Sequence, residues 1–159
     1  AFQKGLGAIH AMSHPVGARF NTHHGTTNAV CMPAVLAFNA DTIRDRFDQA
    51  AAYLGIDGGF DGFCEFVQQF NDSFAIPRTL TEMGVSAERL DDLVAMALED
   101  PSCGGNPVDL TADGLRVLFR ACFRSPAGFL VSAGPGERVG LHIGEKLHRF
   151  QNAFLDAIP

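Results

Sequence analysis

At 159 residues and a formal net charge of −6, the chain has the length of about one domain and can bury a core. Its 47% hydrophobic and 19% charged residues exclude a disordered polymer. The acidic balance, without a basic run, argues against nucleic acid or an anionic membrane as a partner, and no stretch approaches the ~18 apolar residues of a membrane span.

Residues 2–19 carry Leu6, Ile9, Met12 and Val16 among small Gly and Ala, the pattern of a tightly packed helix. Pro15 predicts a kink or break at His14, because proline removes a helix hydrogen bond and disfavours helical geometry in the residue before it. Asn21, Thr22 and Gly25 read as a turn. A second helix is predicted from His24 to about Phe38, apolar nearly all round and so buried. Asp41 reads as the N-cap of a separate helix over 42–54, stopped by Gly55. After the Asp-Gly-Gly turn at 57–59, Phe63, Phe66, Val67 and Phe70 mark a further helix that ends before Pro77. Residues 79–84 predict a short helical turn, and Ser86 caps a helix to about Leu98. A loop follows over 100–110, and Thr111 caps a helix bearing Leu115, Leu118, Phe119 and Cys122 on one face. No alternating strand is evident; Phe129–Val131 is too short to count as one. Residues 124–136 read as a linker, and 137–157 as an amphipathic tail helix with Leu147, Phe150, Phe154 and Ile158 on one face.

The four cysteines, Cys31, Cys64, Cys103 and Cys122, lie far apart with no Cys-x-x-Cys. They read as free thiols of a cytoplasmic, reducing compartment rather than a zinc or disulfide framework. The N-terminus lacks a leader pattern and an initiator Met and opens directly into patterned sequence. The chain is therefore expected to be the tail end of a longer protein.

Four of the six histidines fall within residues 10–24. His10 and His14 stand at i and i+4, on one helix face, and His24 lies across the turn, so the three can meet. Imidazole is a common ligand for transition metals and the usual proton carrier near neutral pH. His23 is expected to be exposed or to shape the turn, and His142 and His148 to be surface residues. Ala11 stands where a His-Glu-x-x-His zinc protease needs its general base. No Gly-x-Ser-x-Gly, Gly-x-Gly-x-x-Gly or P-loop occurs, so the chain shows no nucleotide site of its own. Paired Glu-x-x-His motifs of a carboxylate-bridged four-helix bundle are also absent; Glu145 and His148 make one such spacing.

The run Gly5-Leu6-Gly7-Ala8-Ile9-His10-Ala11-Met12-Ser13-His14-Pro15-Val16-Gly17-Ala18, followed by His24-Gly25-Thr26-Thr27-Asn28-Ala29, Pro33 and Phe38-Asn39, resembles the signature of the iron-containing (group III) alcohol dehydrogenases. The similarity continues through Ile76-Pro77-Arg78-Thr79-Leu80, Met83-Gly84-Val85 and Ala97-Leu98-Glu99-Asp100 to Asn106-Pro107, and covers about residues 1–123 in order. It implies an all-α fold: the C-terminal helical domain of a dehydroquinate-synthase-like enzyme whose N-terminal α/β domain binds NAD or NADP. It further implies that His10 and His24 are two of four ligands to Fe(II) or Zn(II), one Asp and one His preceding residue 1. His14 matches a histidine near the nicotinamide, in the proton path. Residues 1–123 are then a helical metal-binding domain, and the tail from 124 has no counterpart.

The implied parent enzyme interconverts a small-molecule alcohol and its aldehyde or ketone by hydride transfer. These residues alone, without the nucleotide domain, are expected to be inactive and to bind metal weakly. The implied partner is that N-terminal domain; an exposed domain face also favours self-association into a homo-oligomer. The alternative is a stand-alone helical binding module with a relic or weak metal site.

Overall fold

The structure is a computed structural model and describes residues 5–124. Five α-helices account for most of it: α1 (Ala8–Phe20), α2 (His24–Leu54), α3 (Gly59–Ser73), α4 (Leu90–Leu98) and α5 (Ala112–Phe123). Short 3-10 turns lie at Ala87–Arg89 and Pro101–Gly105. Among the described residues there is no strand, and no helix is long and apolar enough to cross a membrane. The tail expected at 137–157, His142, His148 and Phe129–Val131 all lie outside the described residues.

Of the kink or break expected at Pro15 the break is excluded, and the helix boundary expected at 38–42 and the start of α1 are corrected. Helix α1 passes through Pro15 without a break. Proline in a helix interior costs about 3 kcal/mol, but this face buries Ala11, Met12, Ser13, Pro15 and Val16. Burial of that row outweighs one lost backbone bond. The helices expected over 24–38 and 42–54 are a single helix of 31 residues, with Asp41 in its interior. Asn39, at the expected junction, turns its side chain away from its own backbone. It is 5% exposed and makes a reciprocal amide pair with Asn106 (2.9 and 3.0 Å), so nothing competes with the helix there. Helix α1 also begins at Ala8, later than expected.

Several end signals match the sequence reading. Gly55 closes α2 in the left-handed conformation (φ 67°). Thr111 accepts from the Gly114 N–H at the start of α5. Ser86 caps as expected, accepting from the Glu88 N–H, but it opens the 3-10 turn that leads into α4.

One core joins α1, the first half of α2, α4, α5 and the 80–85 turn. At its centre lie Met12, Val16, Cys31, Leu80, Leu93, Leu115, Leu118 and Phe119. The second half of α2 pairs with α3 over separate clusters around Leu36, Phe60 and Val67, and around Ala51, Leu54 and Ile56. Pro33 inside α2 leaves the Ala29 carbonyl without its usual i+4 donor. Asn71 of α3 supplies it, donating from Nδ2 at 3.0 Å.

Candidate active site

The start of α1 is pinned from far along the chain. Its N-cap, Gly7, has no side chain to offer, and the Ala8 N–H donates instead to Asn106 Oδ1 at 3.2 Å. Asn106 also donates to Asn39 Oδ1 (2.9 Å) and to the Val108 carbonyl (2.7 Å), tying α1, α2 and the loop after α4 together. Beside it the backbones of Gly105 and Leu6 approach so closely that a Cβ at 105 would overlap the Leu6 carbonyl oxygen.

The turn between α1 and α2 is equally defined. Asn21 ends α1 in the left-handed region (φ 51°). His23 caps α2, its Nδ1 accepting from the Thr26 N–H at 3.3 Å. This resolves the role of His23: it is exposed and shapes the turn. Thr27 donates to the His23 carbonyl (3.1 Å) and meets Thr22 Oγ1 at 2.9 Å.

These anchors bring His10, His14 and His24 together. The ring centroids of His10 and His14 are 5.8 Å apart, those of His10 and His24 5.2 Å, and those of His14 and His24 5.4 Å with the rings stacked. Ser13 Oγ donates to the His10 carbonyl (3.3 Å) and stands 3.5 Å from His24 Nδ1. A hydroxyl has one proton; with it on the carbonyl, Oγ accepts from His24 Nδ1–H. That tautomer leaves a lone pair on His24 Nε2, to which Asn28 Nδ2 donates at 3.1 Å. The same amide nitrogen is 3.5 Å from His10 Nε2. The Nε2 atoms of His10 and His24 therefore face one point, while Asn28 Oδ1 is buried without a partner.

His14 is oriented from the other side. Its Nδ1 is 2.7 Å from Asp100 Oδ2, with the two side chains 42% and 13% exposed. Asp100 Oδ1 accepts from the Ser102 N–H at 2.8 Å, so both carboxylate oxygens are engaged. Burial pushes the Asp100 carboxyl up, but the hydrogen bonds from Ser102 and His14 outweigh it and leave the group below the ordinary carboxylate range. His10 is held below the ordinary imidazole value, first by burial and then by its neighbours His24 and His14, with Asp100 opposing.

The donor set suits a transition metal in kind and falls short in number. Neutral imidazoles with convergent lone pairs are good ligands for Fe(II) and Zn(II), but a closed site takes about four. Among the described residues, no group of three or more His, Cys, Asp and Glu side chains is arranged to hold a metal ion. Ser13, Asn28 and Asp100 were not singled out by sequence reasoning as part of this cluster. Asn28 was within its reach, at i+4 from His24. The Asp100 contact spans 86 positions and carries no local signal.

The model of the Fe-containing alcohol dehydrogenase family, C-terminal, matches residues 2–123. The chain is 39% identical over 128 residues to a 4-hydroxybutyrate dehydrogenase of Cupriavidus necator, covering 75% of this chain and 33% of the relative. It is 36% identical over 123 residues to an NAD-dependent methanol dehydrogenase of Bacillus methanolicus, covering 73% and 32%. An iron-containing alcohol dehydrogenase structure from Corynebacterium glutamicum is similar at a TM-score of 0.63 and 31% identity, over 76% of this chain and 33% of that one. The chain thus spans about a third of the length of these relatives. A match that runs through all five helices, in sequence and in fold, assigns the chain: it belongs to the Fe-containing alcohol dehydrogenase family and corresponds to the family's C-terminal helical domain.

Proposed function

We propose that residues 1–123 form the helical, metal-holding half of an NAD(P)-dependent alcohol dehydrogenase acting on a small primary or secondary alcohol or its carbonyl product. His10 and His24 hold Fe(II) or Zn(II) through Nε2, and His14 carries the proton. The observation that bears most on this reading is the convergence of the His10 and His24 Nε2 atoms on a single amide nitrogen, at 3.5 and 3.1 Å. The names of the relatives, a methanol and a 4-hydroxybutyrate dehydrogenase, support an alcohol as substrate.

When bound, the metal supplies Lewis acidity that polarises the alcohol oxygen and lowers its pKa. The chain's own residues do the rest of what this half contributes. Ser13 keeps His24 in the ligating tautomer, as partners of metal-bound histidines commonly do. Without metal, Asn28 keeps the two Nε2 lone pairs aimed at one point, and a metal would take those lone pairs in its place. His14, partly exposed and backed by a carboxylate, accepts the hydroxyl proton of the alcohol and returns it in the reverse reaction; a bound nicotinamide would supply the hydride acceptor. The nicotinamide belongs to the N-terminal domain of the parent protein, and the remaining ligands, one Asp and one His, to the family's sequence before residue 1.

Elemental analysis of the intact parent protein, with His10→Ala and His24→Ala beside it, tests the ligand assignment. Metal is expected to fall in both variants; equal metal in parent and variants would overturn it. The chain alone, given metal, NAD(P) and an alcohol, is expected to give no turnover, and turnover would refute the division of the site between two domains.

A further inference from the structure

We propose that Asp100 is a positioning residue for His14, holding its imidazole in the tautomer with the proton on Nδ1 and the lone pair on Nε2. The inference rests on the proposed role of His14 for its significance, and on the geometry of the pair for its content. The 2.7 Å contact between Nδ1 and Oδ2 joins two elements that are fixed to each other independently of it. His14 lies on α1, whose first N–H is held by Asn106. Asp100 opens the 3-10 turn that leads to Asn106, and the approach of Gly105 to Leu6 locks that turn against the residues before α1. The carboxylate has little freedom of its own: Oδ1 is occupied by the Ser102 N–H, leaving Oδ2 for the imidazole.

An ionised carboxylate only accepts hydrogen bonds, so at 2.7 Å the neutral ring must present Nδ1–H to it. The proton-accepting lone pair is then on Nε2. Placing the lone pair there requires Asp100 to be acidic, whereas its capping role does not, because Asn caps a helix about as well as Asp. The two roles are separated by one substitution.

Asp100→Asn keeps an oxygen for the Ser102 N–H and can turn an amide N–H toward His14, which favours the opposite tautomer. Long-range 1H–15N NMR spectra of the full chain with 15N-histidine, recorded in the presence of chelator at a pH where the imidazoles are neutral, report the tautomer of each ring. In the parent chain His14 is expected as Nδ1–H. In Asp100→Asn the ratio is expected to move toward Nε2–H by roughly tenfold or more, with the other histidine signals unmoved. An Nε2–H form in the parent, or an unchanged ratio in the variant, would overturn the proposal. The result is independent of the metal assignment, which fails or stands on His10 and His24.

Discussion

At the scale of single residues the site combines one imidazole kept neutral with one carboxylate kept charged, and acid acts on the two in separate windows. His10 sits below the ordinary imidazole value, about 6.5. As pH falls through that value the unfolded chain takes up this proton before the folded one does, so stability is present above it and declines below. Asp100 is also depressed, and its contribution is lost only as pH falls below the ordinary carboxylate range, near 4. In chelator, the thermal midpoint of the chain is expected to drop between about pH 7 and pH 5, and the drop should be shallower in His10→Gln. An identical slope in the variant would show that His10 is not the group responsible. Gly105 presents a steric rather than electrostatic demand. A methyl there overlaps the Leu6 carbonyl, and relief requires moving the strand of backbone that carries Asn106. Gly105→Ala is expected to destabilise by more than about 2 kcal/mol, read by denaturant unfolding. A loss under half of that would mean the backbone yields easily.

Between elements, long-range polar contacts decide what the local pattern leaves open. The His10–His14–His24 grouping was legible in the sequence because it depends on one helical repeat and one short turn. Asp100 was not, because it reaches His14 through the docking of Asn106 and Gly105, which no spacing reveals. Asn39-Ala40-Asp41 reads locally as a helix boundary. The partner that overrides that reading, Asn106, lies 67 positions away. Pro33 and Asn71 show the same dependence in a form open to measurement. The Asn71 amide replaces the backbone donor that Pro33 lacks. Asn71→Ala is expected to cost about 1–2 kcal/mol. In a Pro33→Ala background residue 33 donates to Ala29 itself, and the same substitution should cost measurably less. Equal costs in both backgrounds in the double-mutant cycle would separate the two residues.

Across the whole molecule, the packing divides into a body and an arm, with the site on the body. His24 begins α2 and Leu36 lies twelve residues further on, about 18 Å along the axis. From there α2 packs against α3 over clusters that share no buried residue with the main core. A row of rings, Phe47, Phe63, Phe66, Phe70 and Phe74, runs along this arm with centroids 4.8 to 6.4 Å apart. Phe60 anchors it at 4% exposure, edge-on to Phe47. Cutting so large a side chain to alanine removes about 3–5 kcal/mol of packing, most of what a cluster this small supplies. Separate clusters allow separate opening, since local unfolding follows the contacts that each unit owns. In Phe60→Ala, hydrogen exchange is therefore expected to quicken across α3 and the second half of α2, while the amides of α1 and α5 keep their protection. The His14 contact with Asp100 depends on α1, Asn106 and the 3-10 turn, all on the body side. The His14 ring signals should accordingly be unchanged in the same variant. Equal loss of protection in α1 would mean that body and arm unfold as one unit, and that the site draws its rigidity from the length of α2 rather than from the polar anchors at its start.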